Sequence, residues 1–241
     1  MGTLINVLAI VGGGLVGLVA GKLLNDRFRK TISVAMGLSV IALAIGGIVA
    51  EMLKISESGD ITTGGTYIII FSLLLGGIFG ELLDVDSAME RFGTFLKMKT
   101  GNAKDAEFVD GFVTASLTVC IGAMAVVGAI MDGISGDHSI LITKAILDFV
   151  IIMAMTAGLG KGCIFAAIPV GIWQGAITLL AKMLEPIMND VALSNLSLVG
   201  NILIFCVGIN IIIEGRGRIK VANLMPAIIF AVIAAYIPFL A

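Results

Sequence analysis

Apolar runs of about 20 residues recur along the whole chain, and they constrain its fold more than any other feature. An α-helix needs about 20 mainly apolar residues to cross the hydrocarbon core of a bilayer. Eight such runs are present and give the predicted spans 3–24, 32–54, 63–83, 108–131, 140–159, 162–184, 196–214 and 221–240. We therefore predict an all-α, polytopic membrane helix bundle that forms a single transmembrane domain over residues 1–241.

The composition excludes the main alternatives to a membrane protein. Hydrophobic residues make up 59% of the chain and charged residues 13%, whereas soluble domains carry about 25% charged residues. Disordered chains are poor in hydrophobic residues, and nucleic-acid binders need a basic face that a net charge of −2 does not provide. The bilayer is thus the expected partner. The 31 glycines predict close helix–helix packing inside it.

The distribution of lysine and arginine predicts the orientation of the bundle. If both termini lie outside, 12 of the 15 basic residues fall in the four inside segments and only Lys54, Lys144 and Lys182 lie outside. Basic residues collect on the cytoplasmic side of membrane proteins, whereas acidic residues contribute little to orientation. The sequence thus predicts an N-out, C-out multi-pass protein of a plasma membrane.

The longest predicted connection runs from about residue 84 to residue 107 on the inside. Its apolar residues, among them Met89, Phe92 and Leu96, recur at helical spacing between charged residues. This pattern favours a short amphipathic helix at the membrane interface. A solvated connector with a few apolar residues is the alternative.

Two glycine-rich segments suggest an internal repetition. The segment Gly13-Gly14-Leu15-Val16-Gly17 resembles Gly76-Gly77-Ile78-Phe79-Gly80. One interpretation is a pair of helical-hairpin repeats over residues 1–60 and 61–135, since transporters are often built from duplicated segments. Glycine-rich helices also resemble one another through composition alone, so this alternative stays open.

Asp148 is the strongest candidate for a functional residue. It lies near the centre of the predicted span 140–159, where a charged group is costly and therefore points to a function. Lys144 precedes it by four residues on the same helix face. The pair is either a structural i,i+4 ion pair or part of a transport path in which Lys144 tunes the acid.

Four neutral residues complete the candidate site. Gln174, expected near the centre of its span, together with Ser116 and Asn201, would supply neutral ligands, and Thr114 shares a helix face with Thr118. The alternative for each hydroxyl is a hydrogen bond to a carbonyl of its own helix. For Gln174 the alternative is a structural role beside Pro169.

The sequence offers no pattern for catalysis. There is no zinc-binding HExxH helix, and the single histidine, His138, lies outside the predicted spans. The segment Gly158-Leu159-Gly160-Lys161-Gly162 lacks the spacing of a phosphate-binding loop. We therefore expect no enzyme, no catalytic residues, no metal site and no cofactor.

Several motifs together resemble a known family. They are Gly2-Thr3-Leu4-Ile5-Asn6, residues 111–117, Gly128-Ala129-Ile130 with Asp132-Gly133, residues 144–148 and Gln174-Gly175. This combination resembles the bacterial inner-membrane proteins of unknown function typified by YdfK and YqgA, over essentially the whole chain. The resemblance implies a multi-pass protein of the bacterial inner membrane, described only as a candidate transport protein. It implies no substrate and no site residues.

The function that these residues predict is membrane transport of a small solute or ion, either a cation or a proton-linked solute. The path would be centred on Asp148. One alternative is a non-transporting scaffold or partner subunit, and another is a homo-oligomeric channel whose pore lies between subunits. Convergence of Asp148, Gln174 and Ser116 on one accessible cavity would favour transport, whereas separate dry contacts would favour the scaffold.

Overall fold

The computed structural model describes residues 1–55, 60–213 and 218–237, which are almost entirely helical. The helices are α1 (Gly2–Leu23), α2 (Asp26–Met52), α3 (Thr66–Leu83), α4 (Val85–Lys99), α5 (Phe108–Cys120), α6 (Ala123–Ile134), α7 (Ser139–Leu159), α8 (Ala167–Leu179), α9 (Ala181–Leu184), α10 (Asp190–Ile212), α11 (Val221–Leu224) and α12 (Ala227–Ala234). Two 3₁₀ helices, Lys161–Ala166 and Glu185–Ile187, adjoin α8 and α9, and the antiparallel strands β1 (Leu53–Ile55) and β2 (Ile61–Thr63) connect α2 to α3. The predicted all-α, polytopic membrane bundle is confirmed.

The number of spans differs from the predicted eight. Within the described residues, six helices are long and apolar enough to cross a bilayer, and α5 and α6 make a seventh span if they are counted together. The predicted span 221–240 holds only a shorter apolar helical segment over Val221–Ala234. Residue 214 of one predicted span and residues 238–240 of the last lie outside the described residues. The count is therefore corrected to six or seven, because an apolar run does not reveal where its helix breaks.

Asparagine caps explain why two helices begin six residues before their predicted spans. The side chain of Asn25 accepts a hydrogen bond from the backbone N–H of Phe28 at 3.2 Å and starts α2. In the same way Asn189 accepts from the N–H of Ala192 at 2.8 Å and starts α10. A cap satisfies backbone donors of the first turn, so polar residues can lengthen a helix beyond its apolar run.

The predicted span 162–184 is interrupted. Its main helix, α8, ends at Leu179, and a turn at Leu180 leads into the short helix α9. Gln174 therefore lies five residues before the end of α8, and not at the centre of a span as we expected. At a rise of 1.5 Å per residue, it lies about 7.5 Å from that end.

The bundle brings the predicted inside segments together at one end. Arg29 of α2, Leu159 of α7, Asn210 of α10 and Arg218 line a common cavity there. We call this end the inner end and the opposite end the outer end. The predicted set of inside segments agrees with this grouping. The side of the membrane that each end faces stays a prediction.

Glycines allow α1 to pack directly on the backbone of α7. A Cβ atom on Gly13 would lie 2.3 Å from the carbonyl oxygen of Phe149, and one on Gly17 would lie 2.3 Å from that of Met153. Both distances are shorter than any real contact of this kind, so only glycine fits without displacing the backbone. The predicted role of glycine in helix packing is confirmed here.

The second glycine motif has a different kind of partner. A Cβ on Gly76 would meet the backbone of Ala227 in α12, and one on Gly80 would meet the carbonyl oxygen of Asn223 in α11. Because the residue number rises along α3 while that of its partner falls, α3 runs antiparallel to α11 and α12. In contrast, α1 runs parallel to α7. The hairpin repeats over residues 1–60 and 61–135 are not tested by these contacts and stay a prediction.

Helix α4 occupies the predicted inner connection. Its residues Gly93 and Leu96 are buried, and the ring of Phe92 meets that of Phe112 on α5 with centroids 5.8 Å apart. The opposite face exposes Phe95 and Met98. The apolar face of α4 thus fixes this helix against the start of α5 and beside the inner cavity.

Candidate functional site

Lys144 and Asp148 form an ion pair inside the bundle. The Lys144 Nζ lies 2.5 Å from Asp148 Oδ2, and the two residues are only 6% and 3% exposed. Asp148 is nine residues from the start of α7, so it lies about 13.5 Å along the helix from the outer end. An ion pair at this depth is stable only if both charges are compensated.

The same lysine binds the end of a broken helix. Between α5 and α6 the chain bends by 62° at Gly122, whose φ of +143° favours glycine. The last carbonyls of a helix have no partner within it and carry partial negative charge. Lys144 donates a hydrogen bond of 2.8 Å to one of them, the carbonyl oxygen of Val119. The ammonium therefore bridges a carboxylate and a helix C-terminus.

Two amide side chains extend this site towards the outer end. Asn6 of α1 donates from Nδ2 to Oε1 of Gln174 at 3.3 Å, and both residues are fully buried. The Asn6 side chain also interacts with Asp148. Asn6 Oδ1 and Gln174 Nε2 are buried without a hydrogen-bond partner. Since a buried polar group normally has a partner, these two atoms indicate a place where a hydrogen-bonding group can bind.

Polar contacts continue from the amides to the outer end. The hydroxyls of Thr3 and Thr178 lie 3.4 Å apart. Asp132 accepts a hydrogen bond from the backbone N–H of Gly2 at 3.1 Å, and its Oδ1 lies 2.5 Å from Nδ1 of His138. The amino group of Met1 also contacts this carboxylate, at 3.2 Å. These groups close the outer end.

At the inner end the structure opens into a cavity of about 610 Å³, which we call the vestibule. Arg218 lies between two groups of α5 at its wall, 2.5 Å from Asp110 Oδ1 and 3.0 Å from the Thr114 hydroxyl. The lining also includes Arg29, Lys30, Ser33, Glu90, Glu107 and Asn210. Thr114 precedes Val119 by five residues, so the vestibule wall at Thr114 lies about 7.5 Å along α5 from the residue whose carbonyl binds Lys144.

These groups together form what we call the polar column. From the outer to the inner end it comprises Asp132 with His138, Thr3 with Thr178, Asn6 with Gln174, Lys144 with Asp148, the Val119 carbonyl, Thr118, Thr114 and Arg218 with Asp110. Thr118 donates to the carbonyl of Thr114 at 2.8 Å, within its own helix. The column runs between α1, α6, α7 and α8 in its outer half and along α5 in its inner half.

The six candidate residues do not all meet. The structure places Asp148, Lys144 and Gln174 around Asn6, and it places Thr114 at the vestibule. Ser116 is buried and donates to the carbonyl of Phe112 at 2.6 Å, as the structural alternative for a hydroxyl predicted.

Asn201 also lies away from the column. It donates to the carbonyl of Ser197 at 2.8 Å and packs against Gly47 of α2.

Sequence reasoning missed Asn6, Asp132, Thr178 and Arg218. Asn6 carried a usable signal, because an amide in the second turn of an apolar helix requires a partner. Asp132 and Arg218 stand at the ends of apolar runs, where a charged residue is ordinary. Their role becomes visible only through contacts with distant parts of the chain.

One acid beside the vestibule has a shifted pKa. Burial raises the pKa of Asp86 in the first turn of α4 above its ordinary value, although Lys220 and Arg218 act in the opposite direction. Asp86 and Glu90 line a small pocket of about 70 Å³ next to Asp110. Among the residues that the structure describes, no group of three His, Cys, Asp or Glu side chains could hold a metal ion.

Comparison with known proteins places these observations in a family. A family described as "Protein of unknown function (DUF554)" matches residues 1–236. The chain belongs to this family. Two relatives, described next, confirm the expected resemblance to YdfK and YqgA.

Two relatives illustrate the family. An "Uncharacterized membrane protein YdfK" from Bacillus subtilis (strain 168) is 26% identical over 238 residues, which cover 98% of this chain and 96% of the relative. An "Uncharacterized protein YqgA" from Escherichia coli (strain K12) is 25% identical over 235 residues, covering 96% and 94%. No solved structure matches the chain. The family thus agrees with a membrane protein and assigns no role to the residues of the polar column.

Proposed function

We propose that this protein transports a small solute or ion, either a cation or a proton-linked solute, across the bacterial inner membrane through the polar column. The observation that carries the proposal is the buried pair of Lys144 and Asp148 bound to the broken end of α5. The proposed role is not enzymatic. The bilayer and the transported species are the proposed partners, and assembly into a homo-oligomer is compatible with this role.

The depth of the charges supports transport. Ionisable groups inside a membrane are costly and usually mark pathways for ions or protons. Secondary transporters place discontinuous helices at the binding site, because the free backbone groups at a break can coordinate a substrate. The break at Gly122 puts the Val119 carbonyl next to Lys144, and thus combines both features.

The continuity of polar groups supports a path. Asn6, Gln174 and Asp148 meet inside the bundle, and the Thr114 wall of the vestibule lies about 7.5 Å from the Val119 carbonyl along α5. A solute that enters the vestibule has only a short distance to cover to reach the ion pair. Neutral hydrogen-bonding groups lead from there to the outer end.

A scaffold is the second candidate. The internal bonds of Ser116 and Asn201, and the ion pair that Lys144 and Asp148 form with each other, suit a role in helix association. Interhelical polar contacts contribute about 0.6 kcal/mol each on average. If the protein is a scaffold, Asp148 contributes to the stability of the bundle and takes no part in transport.

A flux assay separates the two candidates. Purified protein is reconstituted into proteoliposomes and screened for uptake of protons, alkali cations and a panel of small organic solutes. Asp148→Asn keeps the shape of the side chain and removes its charge. Asp137→Asn, a change at an exposed loop acid, serves as the matched control. Transport predicts a flux that Asp148→Asn abolishes in folded protein and Asp137→Asn preserves, whereas equal flux in all three proteins would contradict it.

A further inference from the structure

We infer that a hydroxyl group, from water or from a small alcohol, binds between Asn6 and Gln174 in the outer half of the polar column. This binding site goes beyond the proposed function, because its occupation can be observed without any transport. Three features carry the inference: two buried atoms of opposite hydrogen-bonding character, the close packing of α1 on α8 beside them, and a second pair of hydroxyls further out.

Each of the two amides keeps one buried atom without a partner. Asn6 and Gln174 are both fully buried, and the 3.3 Å bond from Asn6 Nδ2 to Gln174 Oε1 uses only one polar atom of each side chain. Within the described residues, no donor meets Asn6 Oδ1 and no acceptor meets Gln174 Nε2. Buried polar atoms are normally paired with protein or with ordered water, so a ligand between the amides would complete both sets of hydrogen bonds.

The chemistry of the two free atoms determines which ligand can bind both. Oδ1 of Asn6 needs a donor, and Nε2 of Gln174 needs an acceptor. An ammonium or a metal cation can meet only the oxygen, and a carboxylate or another anion can meet only the N–H. A hydroxyl oxygen both donates and accepts. One water molecule or one alcohol group that bridged the amides would therefore satisfy both atoms.

This requirement does not depend on which way the amides point. The Asn6 side chain interacts with Asp148, and an ionised carboxylate only accepts hydrogen bonds, so the amide nitrogen is the atom that this contact uses. Turning over the amides of both Asn6 and Gln174 would exchange their roles. One donor and one acceptor would again be left unpaired, and the ligand would still have to supply both.

Close packing of α1 on α8 limits the size of the ligand. A Cβ atom on Gly171 would lie 3.2 Å from the side chain of Val7, which is tighter than ordinary van der Waals contact. Val7 follows Asn6 directly, and Gly171 lies three residues before Gln174. The limited space favours a single oxygen atom over a carboxamide, which needs two of its own atoms to meet both amides.

The same two helices continue the site outwards with hydroxyl groups. Thr3 lies three residues before Asn6 on α1, and Thr178 lies four residues after Gln174 on α8, so each threonine shares a helix face with its amide. The two threonine hydroxyls lie 3.4 Å apart. All four side chains are neutral, so they give a hydroxyl group suitable partners and give an ion no counter-charge.

An experimental structure at a resolution that shows ordered water tests the inference directly. We expect one oxygen-sized peak within about 2.5–3.2 Å of both Asn6 Oδ1 and Gln174 Nε2. Absence of this peak, in the free protein and at saturating alcohol, would overturn the inference. So would a structure in which the two amides pair with each other through both of their N–H and C=O groups.

A bromine-labelled alcohol distinguishes water from the hydroxyl of a solute. Crystals soaked in 2-bromoethanol should show an anomalous bromine peak beside the two amides if a solute hydroxyl binds there. If the site takes water alone, the oxygen peak remains without bromine. Bromoethane, which lacks the hydroxyl, should give no peak. Equal peaks from both compounds would overturn the inference, because apolar packing would then explain the binding.

Two variants check that the amides hold the ligand. Gln174→Met removes the amide from a side chain of similar length and should abolish the peak. Asn201→Leu removes an amide that is bonded within its own helix, away from the column, and should leave the peak unchanged. A peak that survives Gln174→Met at full strength would contradict the site. If Gln174→Met does not fold, the peak in the wild type still decides the question.

The flux assay keeps this inference separate from the proposed function. An occupied site in a protein that shows no flux of any solute would keep the bound hydroxyl and refute transport. Flux that Asp148→Asn abolishes, together with an empty site between the amides, would keep transport and refute the bound hydroxyl.

Discussion

The two ends of the polar column are built differently. In the outer half, side chains from α1, α6, α7 and α8 bond to one another across helices, and the Asp132 side chain is only 1% exposed. At the inner end, Arg218 and Asp110 line the vestibule, and the Asp110 side chain is 69% exposed. This conformation is thus closed at the outer end and open at the inner end. An alternating-access protein needs a closed and an open side of this kind.

The same contrast appears in two ion pairs of equal length. Lys144 with Asp148 and Arg218 with Asp110 each have a nitrogen–oxygen distance of 2.5 Å. The first pair is buried, and the second is open to the vestibule. Burial, and not distance, therefore decides how much each pair contributes to stability, and three experiments test this difference between the two ends.

The largest effect is expected from breaking the buried pair. Lys144→Met leaves the Asp148 carboxylate buried without its partner and should lower the free energy of unfolding by about 3–5 kcal/mol. Arg218→Met at the exposed pair should cost less than about 1 kcal/mol. Thermal unfolding followed by the helical signal in circular dichroism measures both variants. Equal losses would show that the two ends do not differ in burial as described.

The double change Lys144→Met with Asp148→Leu refines this test. It removes both charges and should recover much of the stability lost in Lys144→Met, since the uncompensated charge is gone. If the double variant is as unstable as Lys144→Met, lost packing of the lysine chain explains the effect instead.

An intermediate effect is expected in the accessibility of the two ends. In a variant with the three native cysteines replaced, Asp110→Cys should react readily with a membrane-impermeant thiol reagent added to the inner side, because the Asp110 side chain is exposed at the vestibule. Gln174→Cys should react little from the outer side, because Gln174 is fully buried in the outer half of the column. Mass spectrometry gives the labelled fraction at each position. Rapid labelling of both cysteines would contradict a closed outer end.

The smallest effects concern two acids outside the spans. The backbone N–H of Ser139 lowers the pKa of Asp137 near the outer end, so the stability that this acid contributes is present at neutral pH and is lost as pH falls. Burial raises the pKa of Asp86 at the inner end, so its contribution is present at low pH and is lost as pH rises.

Single asparagine variants of the two acids should therefore change stability in opposite directions. At neutral pH, Asp86→Asn should stabilise the protein by less than about 1 kcal/mol, and Asp137→Asn should destabilise it slightly. Thermal unfolding as a function of pH checks the signs. Changes of the same sign would mean that burial at Asp86 is not the dominant cause.

The sequence predicted the local features of the fold and missed the breaks. Apolar runs revealed the spans because each run lies within one helix. The bend at Gly122 and the turn at Leu180 fall inside apolar runs, where hydropathy stays high and no charged residue marks the change. The starts of α2 and α10 were missed because capping by Asn25 and Asn189 operates on polar residues outside the runs.

The parts of the candidate site that lie within one helix were predicted, and the contacts between distant helices were missed. The i,i+4 spacing of Lys144 and Asp148 offered their ion pair as one of two interpretations, and the structure shows the pair. The contact of Asn6 with Gln174 joins positions 168 residues apart, and no periodicity in one helix reveals such a contact. The hydroxyl of Ser116 was overrated, because a hydroxyl in an apolar helix can satisfy itself on its own backbone.

A flux measurement shows whether the column centred on Asp148 is the transport path. Flux into proteoliposomes is compared for the wild type, Asp148→Asn and Asp137→Asn, with folding verified for each. We expect that Asp148→Asn abolishes the flux and that Asp137→Asn, at an exposed loop outside the polar column, retains it. Flux that survives Asp148→Asn in a folded protein would show that Asp148 is not part of the transport path.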